Sequence, residues 1–270
     1  MRKDDNTMRI IDAHTHIFPD KISDKVSKSI DGFYGMPYFA PASVKNLLEE
    51  GEAAGISHFL VCSAAVTPEQ TPSITDFMAQ VIQNHDCFTA LASIHPDFPD
   101  FEAEIDRAVS LGLSGIKLHP DFQKFDIDDE KALPLYRAAA KRGLPILMHM
   151  GDKRYDASSP KKLAAVMKKI PDLTVVAAHF GGFQRWQEAH DLLTPSDRLW
   201  FDTSSSTMFV SRDYALSMFD KFGIDRFMFG TDFPLWNAAE ELERVRALGL
   251  SDAEYEKLFA GNFMRLFGMK

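Results

Sequence analysis

Several side chains of the kinds that bind metal ions follow short apolar runs in this chain. They are His14 and His16 in IIDAHTHIF, His119 in GIKLHP, His149 in LPILMHM, His179 in TVVAAHF and Asp232 in FMFGTDFP. If each run is a parallel strand of one barrel, all of these side chains lie at the mouth where the strands end. Neutral imidazoles together with one carboxylate suit Zn²⁺, and such a site can bind a water and acidify it.

The pair His14-Thr15-His16 is the strongest motif. Residues two apart in a strand point to the same side, so both imidazoles can bind one ion. An HxH spacing alone is weak evidence, because such pairs often arise by chance on a surface or in a core. The metal interpretation therefore also depends on His149, His179 and Asp232, which are expected at the ends of the fifth, sixth and eighth strands.

The elements that must position these residues are an alternation of apolar runs and helical patterns, which is typical of a parallel sheet built from βαβ units. Strands are expected near 9–14, 58–63, 88–94, 114–118, 144–148, 174–179, 198–203 and 226–230. Helices are expected at 43–54, 101–111, 130–142, 160–169, 185–193, 212–222 and 238–248, with a final helix at 252–266. Eight such units predict an α/β fold, a (β/α)8 TIM barrel, as a single domain spanning residues 1–270.

The connection from residue 17 to residue 42 is unusually long and carries aromatic side chains, among them Phe33, Tyr34 and Tyr38. Because it follows the first strand on the side where the metal site is expected, we interpret it as an inserted segment that forms a partial lid over the pocket. An insertion that only packs on the surface is the alternative. Residues 1–8 are expected to form a flexible leader.

Composition argues against several classes of protein. The net charge of −9 does not suit nucleic-acid binding, which needs clustered Lys and Arg. The first residues, MRKDDNTMR, are too polar for a signal peptide, and no apolar run reaches the roughly 20 residues needed to span a bilayer. Cys62 and Cys87 are isolated and do not form a disulfide framework. We therefore expect a cytoplasmic protein that binds neither membranes nor nucleic acid.

The same residues carry a resemblance that spans the whole chain. The motifs DAHTHIFP, GIKLHP, AHFGG, FGTDFP and the late GNFMRLFG, with a strand-end histidine at position 149, resemble the amidohydrolase superfamily. Within it, the chain is most similar to the amidohydrolase-related branch that also contains aminocarboxymuconate semialdehyde decarboxylase. The resemblance implies a distorted TIM barrel with one divalent metal ion, usually Zn²⁺, bound by His14, His16, His149 and Asp232. It also implies a catalytic role for His179, in contact with the metal-bound water or the substrate.

Elementary chemistry agrees with catalytic roles for Asp232 and His179. A carboxylate can bind a metal ion through one oxygen and accept the proton of a bound water with the other. A nearby imidazole can orient the resulting hydroxide or stabilise charge that develops on the substrate. For His179 the alternative is a buried histidine with structural contacts only.

The fourth strand leaves the number of metal ions open. Lys117 and His119 are two apart and face the same way, so both can enter the pocket. Some amidohydrolases carry a carbamylated lysine on this strand that bridges two ions, and in that case Lys117 is a ligand and His179 binds the second ion. Otherwise Lys117 and His119 are expected to bind substrate, as is Arg185, which follows the sixth strand and could hold a substrate carboxylate.

These residues predict a metal-dependent hydrolase of a small organic substrate, acting through attack of metal hydroxide on a carbonyl-type carbon. A metal-dependent, non-oxidative decarboxylase of an aromatic or unsaturated carboxylic acid is the alternative, because the resembling branch contains both activities with nearly the same ligands. A metal-binding but inactive scaffold protein is the third hypothesis. Mn²⁺, Fe²⁺ and Co²⁺ suit similar donors, and the resemblance implies a possible homodimer.

Overall fold

The computed structural model describes residues 8–269, so the predicted leader at residues 1–8 lies outside the described residues except for Met8. The strands are short and buried. They are β1 Ile11–His16, β2 His58–Cys62, β3 Phe88–Ala90, β4 Ala92–Ser93, β5 Ile116–Leu118, β6 Ile146–Met148, β7 Val175–Ala177, β8 Leu199–Asp202 and β9 Phe227–Met228. Neighbouring strands pair in parallel, β1 to β3 in one sheet and β4 to β9 in the other. Strands buried on both faces appear in the sequence as nearly continuous apolar runs.

Two seams join these sheets into a closed barrel. At the first seam, Leu91 separates β3 from β4, and its backbone N–H donates to the carbonyl of Val61 in β2 at 3.1 Å. At the second seam, the N–H of Ala13 in β1 donates to the carbonyl of Phe229, just after β9, at 2.8 Å. The predicted (β/α)8 fold is therefore confirmed, and its third strand is interrupted once.

The helices lie around the barrel. They are α1 Asp20–Tyr34, α2 Val44–Ala54, α3 Gln70–Asn84, α4 Phe101–Ser110, α5 Pro120–Gln123, α6 Leu133–Lys141, α7 Pro160–Lys169, α8 Trp186–Leu192, α9 Arg212–Phe222, α10 Ala238–Arg246, α11 Asp252–Glu256 and α12 Asn262–Phe267. Ser43 begins α2 by accepting a hydrogen bond from the Asn46 backbone N–H at 3.2 Å. Leu47 of α2 and Val61 of β2 belong to the main hydrophobic core. Among residues 8–269, no helix has the length and apolarity that crossing a membrane requires.

Four helical regions differ from the prediction. No helix is predicted at α1, α3 or α5, although α1 and α3 carry apolar residues at helical spacing, such as Ile22, Val26 and Ile30 in α1. The predicted final helix at 252–266 is interrupted by a π-turn, Lys257–Gly261, between α11 and α12. Helix α1 lies within the long connection after β1.

The end of the barrel where the strands begin is filled from the C-terminal part of the chain. Ala260 of the π-turn and Phe263 of α12 belong to the same buried cluster as Ile11 and Leu147, which point into the barrel. The end where the strands finish carries the predicted site residues.

Candidate active site

His14, His16 and Asp232 lie together at the mouth where the strands finish. Asp232 Oδ1 is 3.2 Å from His16 Nε2 and 3.6 Å from His14 Nε2. The backbone N–H of Asp232 also donates to the carbonyl of His14 at 2.9 Å. The structure therefore brings together three of the four residues predicted as metal ligands, and backbone pairing fixes the carboxylate beside the two imidazoles.

Close packing of β1 against the segment after β9 explains part of the motif FGTDFP. A Cβ atom at Gly230 would lie 3.0 Å from the His14 Cβ, so a glycine allows the two segments to approach. The buried Asp12 carboxylate accepts hydrogen bonds from the backbone N–H groups of His14 (3.1 Å) and Thr231 (3.0 Å). Asp12 thus ties together the segments that carry His14 and Asp232.

His14 is held at both ring nitrogens. Its Nδ1 lies 2.9 Å from Asp202 Oδ2, and its Nε2 lies 2.9 Å from Lys117 Nζ. The carboxylate selects Nδ1 as the protonated nitrogen, so Nε2 carries the lone pair, which faces Lys117 in this structure and which a metal ion would use. Burial and the charge of Lys117 lower the pKa of His14 to about 4, against the opposing effect of Asp202. At neutral pH the imidazole is therefore uncharged, which is the form that binds metals.

His179 connects this group to His149. Its Nε2 lies 3.1 Å from His149 Nδ1, and its Nδ1 lies 2.9 Å from Ser204 Oγ, which in turn bonds to Asp202. The backbone φ is 61° at His179 and 64° at Asp232, in the left-handed region that residues with side chains seldom adopt. Strain of this kind is frequent at functional sites, where surrounding contacts maintain it.

His149 and His119 form a second polar group beside the first. Their rings stack with centroids 3.8 Å apart, and His149 Nε2 lies 3.7 Å from Asp121 Oδ2. Within residues 8–269, His149 Nε2 and Asp121 Oδ1 are buried atoms with no hydrogen-bond partner. Burying a polar atom without a partner costs free energy unless a ligand uses it. The orphaned nitrogen fits the predicted role of His149 as a metal ligand.

The donor atoms suit a divalent ion, although they fall into neighbouring groups. One group consists of His14, His179 and Asp232, and another of His119, Asp121 and His149. Within each group the nitrogen and oxygen donor atoms lie within 4.8 Å of one another. Imidazole and carboxylate are ligands that Zn²⁺ and related ions accept. The predicted set is thus divided, because His149 belongs to the second group and reaches the first through His179.

Asp232 and His179 are in protonation states that can accept a proton, whereas at His16 burial is outweighed by the contacts with Cys62 and Asp232, which raise the pKa to about 9. Burial acts to raise the pKa of Asp232, but the imidazoles of His14 and His179 and a hydrogen bond from His16 outweigh it and hold that pKa well below its usual range. Burial lowers the pKa of His179 and, more strongly, that of His149. At neutral pH the site therefore contains an ionised carboxylate at Asp232 and a neutral imidazole at His179.

A cavity of about 540 Å³ opens beside these side chains. Its apolar lining, to which α1 contributes five residues, consists of Phe18, Ile22, Val26, Ile30, Phe33, Tyr34, Ala64, Val66, Phe122, Pro234 and Leu235. Its polar lining consists of His16, Lys25, Ser29, His119, Lys124, His149 and Asp232. This volume suits a small organic molecule.

Two of the three residues predicted to bind substrate do not line this cavity. The guanidinium of Arg185 binds Asp156 and Glu188 instead, each at 2.8 Å. The expected substrate contact of Arg185 is therefore not supported, because surface carboxylates occupy its nitrogens. Lys117 is buried below the cavity, and His119 is the predicted residue that lines it.

Asp202 and Ser204 are site residues that the sequence prediction does not include, and the contact of Tyr34 with His119 is not predicted either. Asp202 ends the apolar run of β8 and precedes Thr-Ser-Ser-Ser, so the strand-end rule that located Asp232 could have located it. Ser204 follows two positions later. Tyr34 lies in the long connection after β1, and its hydroxyl reaches His119 Nε2 at 3.0 Å.

Comparison with known protein families agrees with these observations. The family model described as Amidohydrolase matches residues 11–269. The chain belongs to the amidohydrolase family. The resemblance seen in the sequence is thereby confirmed, and this enzyme family is metal-dependent, in keeping with the His and Asp groups of the site. No curated protein sequence matches the chain.

Solved structures of several enzymes share the barrel of this chain. With 5-carboxyvanillate decarboxylase from Sphingomonas paucimobilis, the TM-score is 0.76 at 16% identity, over 98% of this chain and 100% of that chain. With a candidate 2-pyrone-4,6-dicarboxylic acid hydrolase from Pseudomonas putida, it is 0.70 at 18% identity, over 98% and 99%. With a manganese-bound dihydroxybenzoic acid decarboxylase from a Polaromonas species, it is 0.72 at 15% identity, over 97% and 98%. At these identities the likeness shows the fold alone.

Proposed function

We propose that this chain is a metal-dependent hydrolase of a small organic substrate, in which an activated water attacks a carbonyl-type carbon. The proposal is carried by the ionised carboxylate of Asp232 and the neutral imidazole of His179, both among the metal-type donors beside the cavity. Both groups can accept a proton from water. Hydrolysis needs such acceptors for the proton of the attacking water.

The residues proposed to hold the ion are His14, His16, His149 and Asp232, and Zn²⁺ is the proposed ion because imidazole and carboxylate ligands suit it. When bound, a divalent ion supplies a Lewis acid that polarises a carbonyl oxygen and lowers the pKa of water to near 7. Asp202 holds the His14 ring through Nδ1, so Nε2 keeps its direction towards the ion. Mn²⁺, Fe²⁺ and Co²⁺ suit the same donors.

The contacts of Asp232 give its two oxygens different tasks. Ser205 Oγ donates to Oδ2 at 2.5 Å and itself accepts a hydrogen bond from Trp236 Nε1 at 2.8 Å. These bonds fix the carboxylate, so Oδ1 stays beside the imidazoles of His14 and His16, where it would hold the ion, and Oδ2 is the oxygen that takes the proton of the attacking water. His179 orients that water, or stabilises charge that develops on the substrate, through Nε2.

The cavity lining indicates the kind of substrate. Apolar side chains of α1 form much of its wall, and Lys25 and Lys124 are the cationic residues of the lining. Neither lysine has a carboxylate partner within 4.0 Å in the described part of the chain. We therefore propose a substrate with an apolar body and an acidic group.

Decarboxylation of an aromatic or unsaturated carboxylic acid is the second candidate. The fold shared with 5-carboxyvanillate decarboxylase favours it, and so does Lys117, a buried cation whose Nζ lies 2.9 Å from His14 Nε2. A cation near the site can stabilise a carboxylate as CO₂ departs. Lys117 also keeps the two-ion alternative open, in which its carbamylated form bridges two ions and His179 binds the second.

A product assay separates the two reactions. Protein stripped of metal and reloaded with Zn²⁺ would be offered esters, lactones and amides, with acid release measured, and aromatic and unsaturated acids, with CO₂ release measured. We expect acid release that disappears with the metal and returns on reloading. Release of CO₂ without any hydrolysis would overturn the proposal. Metal analysis should find one ion per chain, and two tightly bound ions would replace the single-ion site.

A further inference from the structure

Tyr34 extends from the last turn of α1 into the cavity that contains the candidate metal ligands. Its hydroxyl lies 3.0 Å from His119 Nε2, and it lines the same cavity as His16, His149 and Asp232. The ring of His119 stacks on that of His149. A phenol is therefore held next to the place where the proposed reaction occurs.

The hydrogen bonds of His119 determine which way the phenol donates. His119 caps α5, and the Phe122 backbone N–H, which donates to the His119 carbonyl at 3.1 Å, also donates to the His119 Nδ1 at 3.4 Å. An accepting Nδ1 carries no proton, so the neutral ring is protonated at Nε2. This Nε2–H then donates to the oxygen of Tyr34, and the phenolic hydrogen is left for another acceptor. In residues 8–269 the Tyr34 hydroxyl has no other hydrogen-bond partner.

We propose that Tyr34 donates its phenolic hydrogen to the substrate oxygen on which negative charge develops. The inference rests on the proposed hydrolysis, because attack of water on a carbonyl carbon places charge on the carbonyl oxygen. Donors fixed in advance at such an oxygen lower the barrier more than donors that must reorient. The hydrogen bonds from the Phe122 N–H to His119 and from His119 to Tyr34 hold the phenol as such a fixed donor.

The surroundings of Tyr34 keep this donor in place. Arg154 pairs with the Asp152 carboxylate at 2.6 Å and donates from its other terminal nitrogen to the carbonyl of Phe33, also at 2.6 Å. Its guanidinium lies 4.8 Å from the Phe33 ring centroid. The Tyr34 ring contacts Phe33 edge to face at 4.8 Å. These contacts attach the C-terminal end of α1 to the loop after β6.

The first test compares Tyr34→Phe with the matched variant Tyr38→Phe. Tyr38 lies just after α1, outside the cavity lining, and its hydroxyl donates to Asp24 Oδ1 at 2.9 Å. With p-nitrophenyl acetate as the probe, Tyr34→Phe should lower kcat by about 10²–10³-fold with little change in KM. Tyr38→Phe should retain wild-type kcat. Equal kcat in wild type and Tyr34→Phe, or a loss confined to KM, would overturn the proposal.

Two further measurements do not require turnover. In ¹⁵N-histidine NMR spectra, His119 should be the Nε2–H tautomer, and an Nδ1–H tautomer would overturn the proposal. Benzylphosphonate carries anionic oxygens around a tetrahedral phosphorus and so resembles the carbon that water has attacked. It should bind Tyr34→Phe at least about 10-fold more weakly than wild type or Tyr38→Phe. Equal affinity would also overturn it. If both results hold but no ester, lactone or amide is hydrolysed, the proposed function fails and the donor role of Tyr34 stands.

Discussion

The two ends of the barrel are closed by different kinds of side chain. Where the strands finish, buried ionisable groups contact one another, as His14 does with Lys117 and Asp202, each at 2.9 Å. Where the strands begin, Phe263 and Ala260 close the interior with apolar surface. Burying charges costs free energy, whereas burying apolar surface stabilises by about 25 cal/mol per Å².

The backbone follows the same division. His179, Ser205 and Asp232 all have positive φ at the end that carries the site. At the other end, the side-chain amide of Asn262 donates to the carbonyls of Ile224 (2.8 Å) and Phe227 (2.7 Å) and satisfies them. Strained or charged groups persist where function requires them. We therefore assign chemistry to the end where the strands finish and stability to the end where they begin. Substitutions at the two ends should therefore have separable effects.

Asp232→Asn should give the largest effect, and it should act on activity alone. Asparagine matches aspartate in size and tolerates the φ of 64° at this position. It removes a proposed ligand and the proposed proton acceptor, so kcat/KM should fall by about 10³–10⁴-fold. The melting temperature should stay within about 4 °C of wild type, which corresponds to roughly 1 kcal/mol. Steady-state kinetics and calorimetry on the same preparation measure both quantities.

The matched control is Asp225→Asn. Asp225 lies just before β9 and pairs with Lys257 at 2.9 Å, near the opposite end of the barrel. This substitution should leave kcat/KM unchanged. Wild-type turnover in Asp232→Asn, or unfolding of that variant, would show that the two ends do not divide function from stability.

Phe263→Ala should have the opposite signature. Phe263 is buried in the interior cluster, so its truncation leaves a cavity and should lower the free energy of unfolding by about 3–5 kcal/mol. The kcat/KM of the remaining folded protein should be unchanged. Phe39→Ala is the control, since the Phe39 side chain is 50% exposed, and urea unfolding should detect little change. A drop in kcat/KM at temperatures where Phe263→Ala is fully folded would count against the separation.

Much of the site could be predicted from the sequence, because the rules that place its residues depend on the geometry of single strands and of parallel strand ends. Strand period places His14 and His16 on one side, and the ends of parallel strands share one mouth, which places Asp232 beside them. Asp202 follows the same rule. The break at Leu91 in the third strand has no comparable signal, because the run from 88 to 94 is continuously apolar or small apart from two hydroxyl residues.

The rest depends on which loops meet in space. Arg185 follows the sixth strand, where a substrate-binding cation is expected, but its guanidinium forms ion pairs with Asp156 and Glu188. Tyr34 gains its contact with His119 only because α1 folds back over the mouth. The pair of Arg185 with Glu188 has the i,i+3 spacing of the predicted helix and follows from the sequence. The contacts of Arg185 with Asp156 and of Tyr34 with His119 join separate loops, so spacing along the chain does not reveal them.

Asp202→Asn tests the site end with a smaller change. Asp202 Oδ2 bonds to His14 Nδ1, and Oδ1 accepts the backbone N–H of His179 at 3.0 Å. Burial acts to raise its pKa, but His14 and His179 outweigh that effect and lower the pKa to about 2. Removing this charge should weaken Zn²⁺ binding by about 10–100-fold, as for other carboxylates that orient a ligating histidine. Competition with a chromogenic chelator measures the affinity, and an unchanged value would remove Asp202 from the metal site.

His58 should give the smallest effect, and it lies at the apolar end. It is buried at the start of β2, with its Nε2 2.8 Å from Thr89 Oγ1 and its ring centroid 5.9 Å from that of Phe263. Burial, and then the charge of Arg9, lower its pKa from 6.5 to about 4. Between these two pH values the unfolded chain binds a proton at His58 that the folded chain does not. The free energy of unfolding should therefore decrease as the pH falls through this window.

His58→Gln isolates that contribution, because glutamine can still hydrogen-bond to Thr89 but does not titrate. Urea unfolding of wild type and variant at several pH values between 6.5 and 4 should show a loss of stability that is smaller in the variant by about 1–2 kcal/mol. The site histidines contribute equally to both curves and cancel in the difference. Equal losses in the two proteins would mean that folded His58 accepts the proton. The end of the barrel around Phe263 would then tolerate a buried charge. The difference between an apolar end and a charged site end would be smaller than the packing indicates.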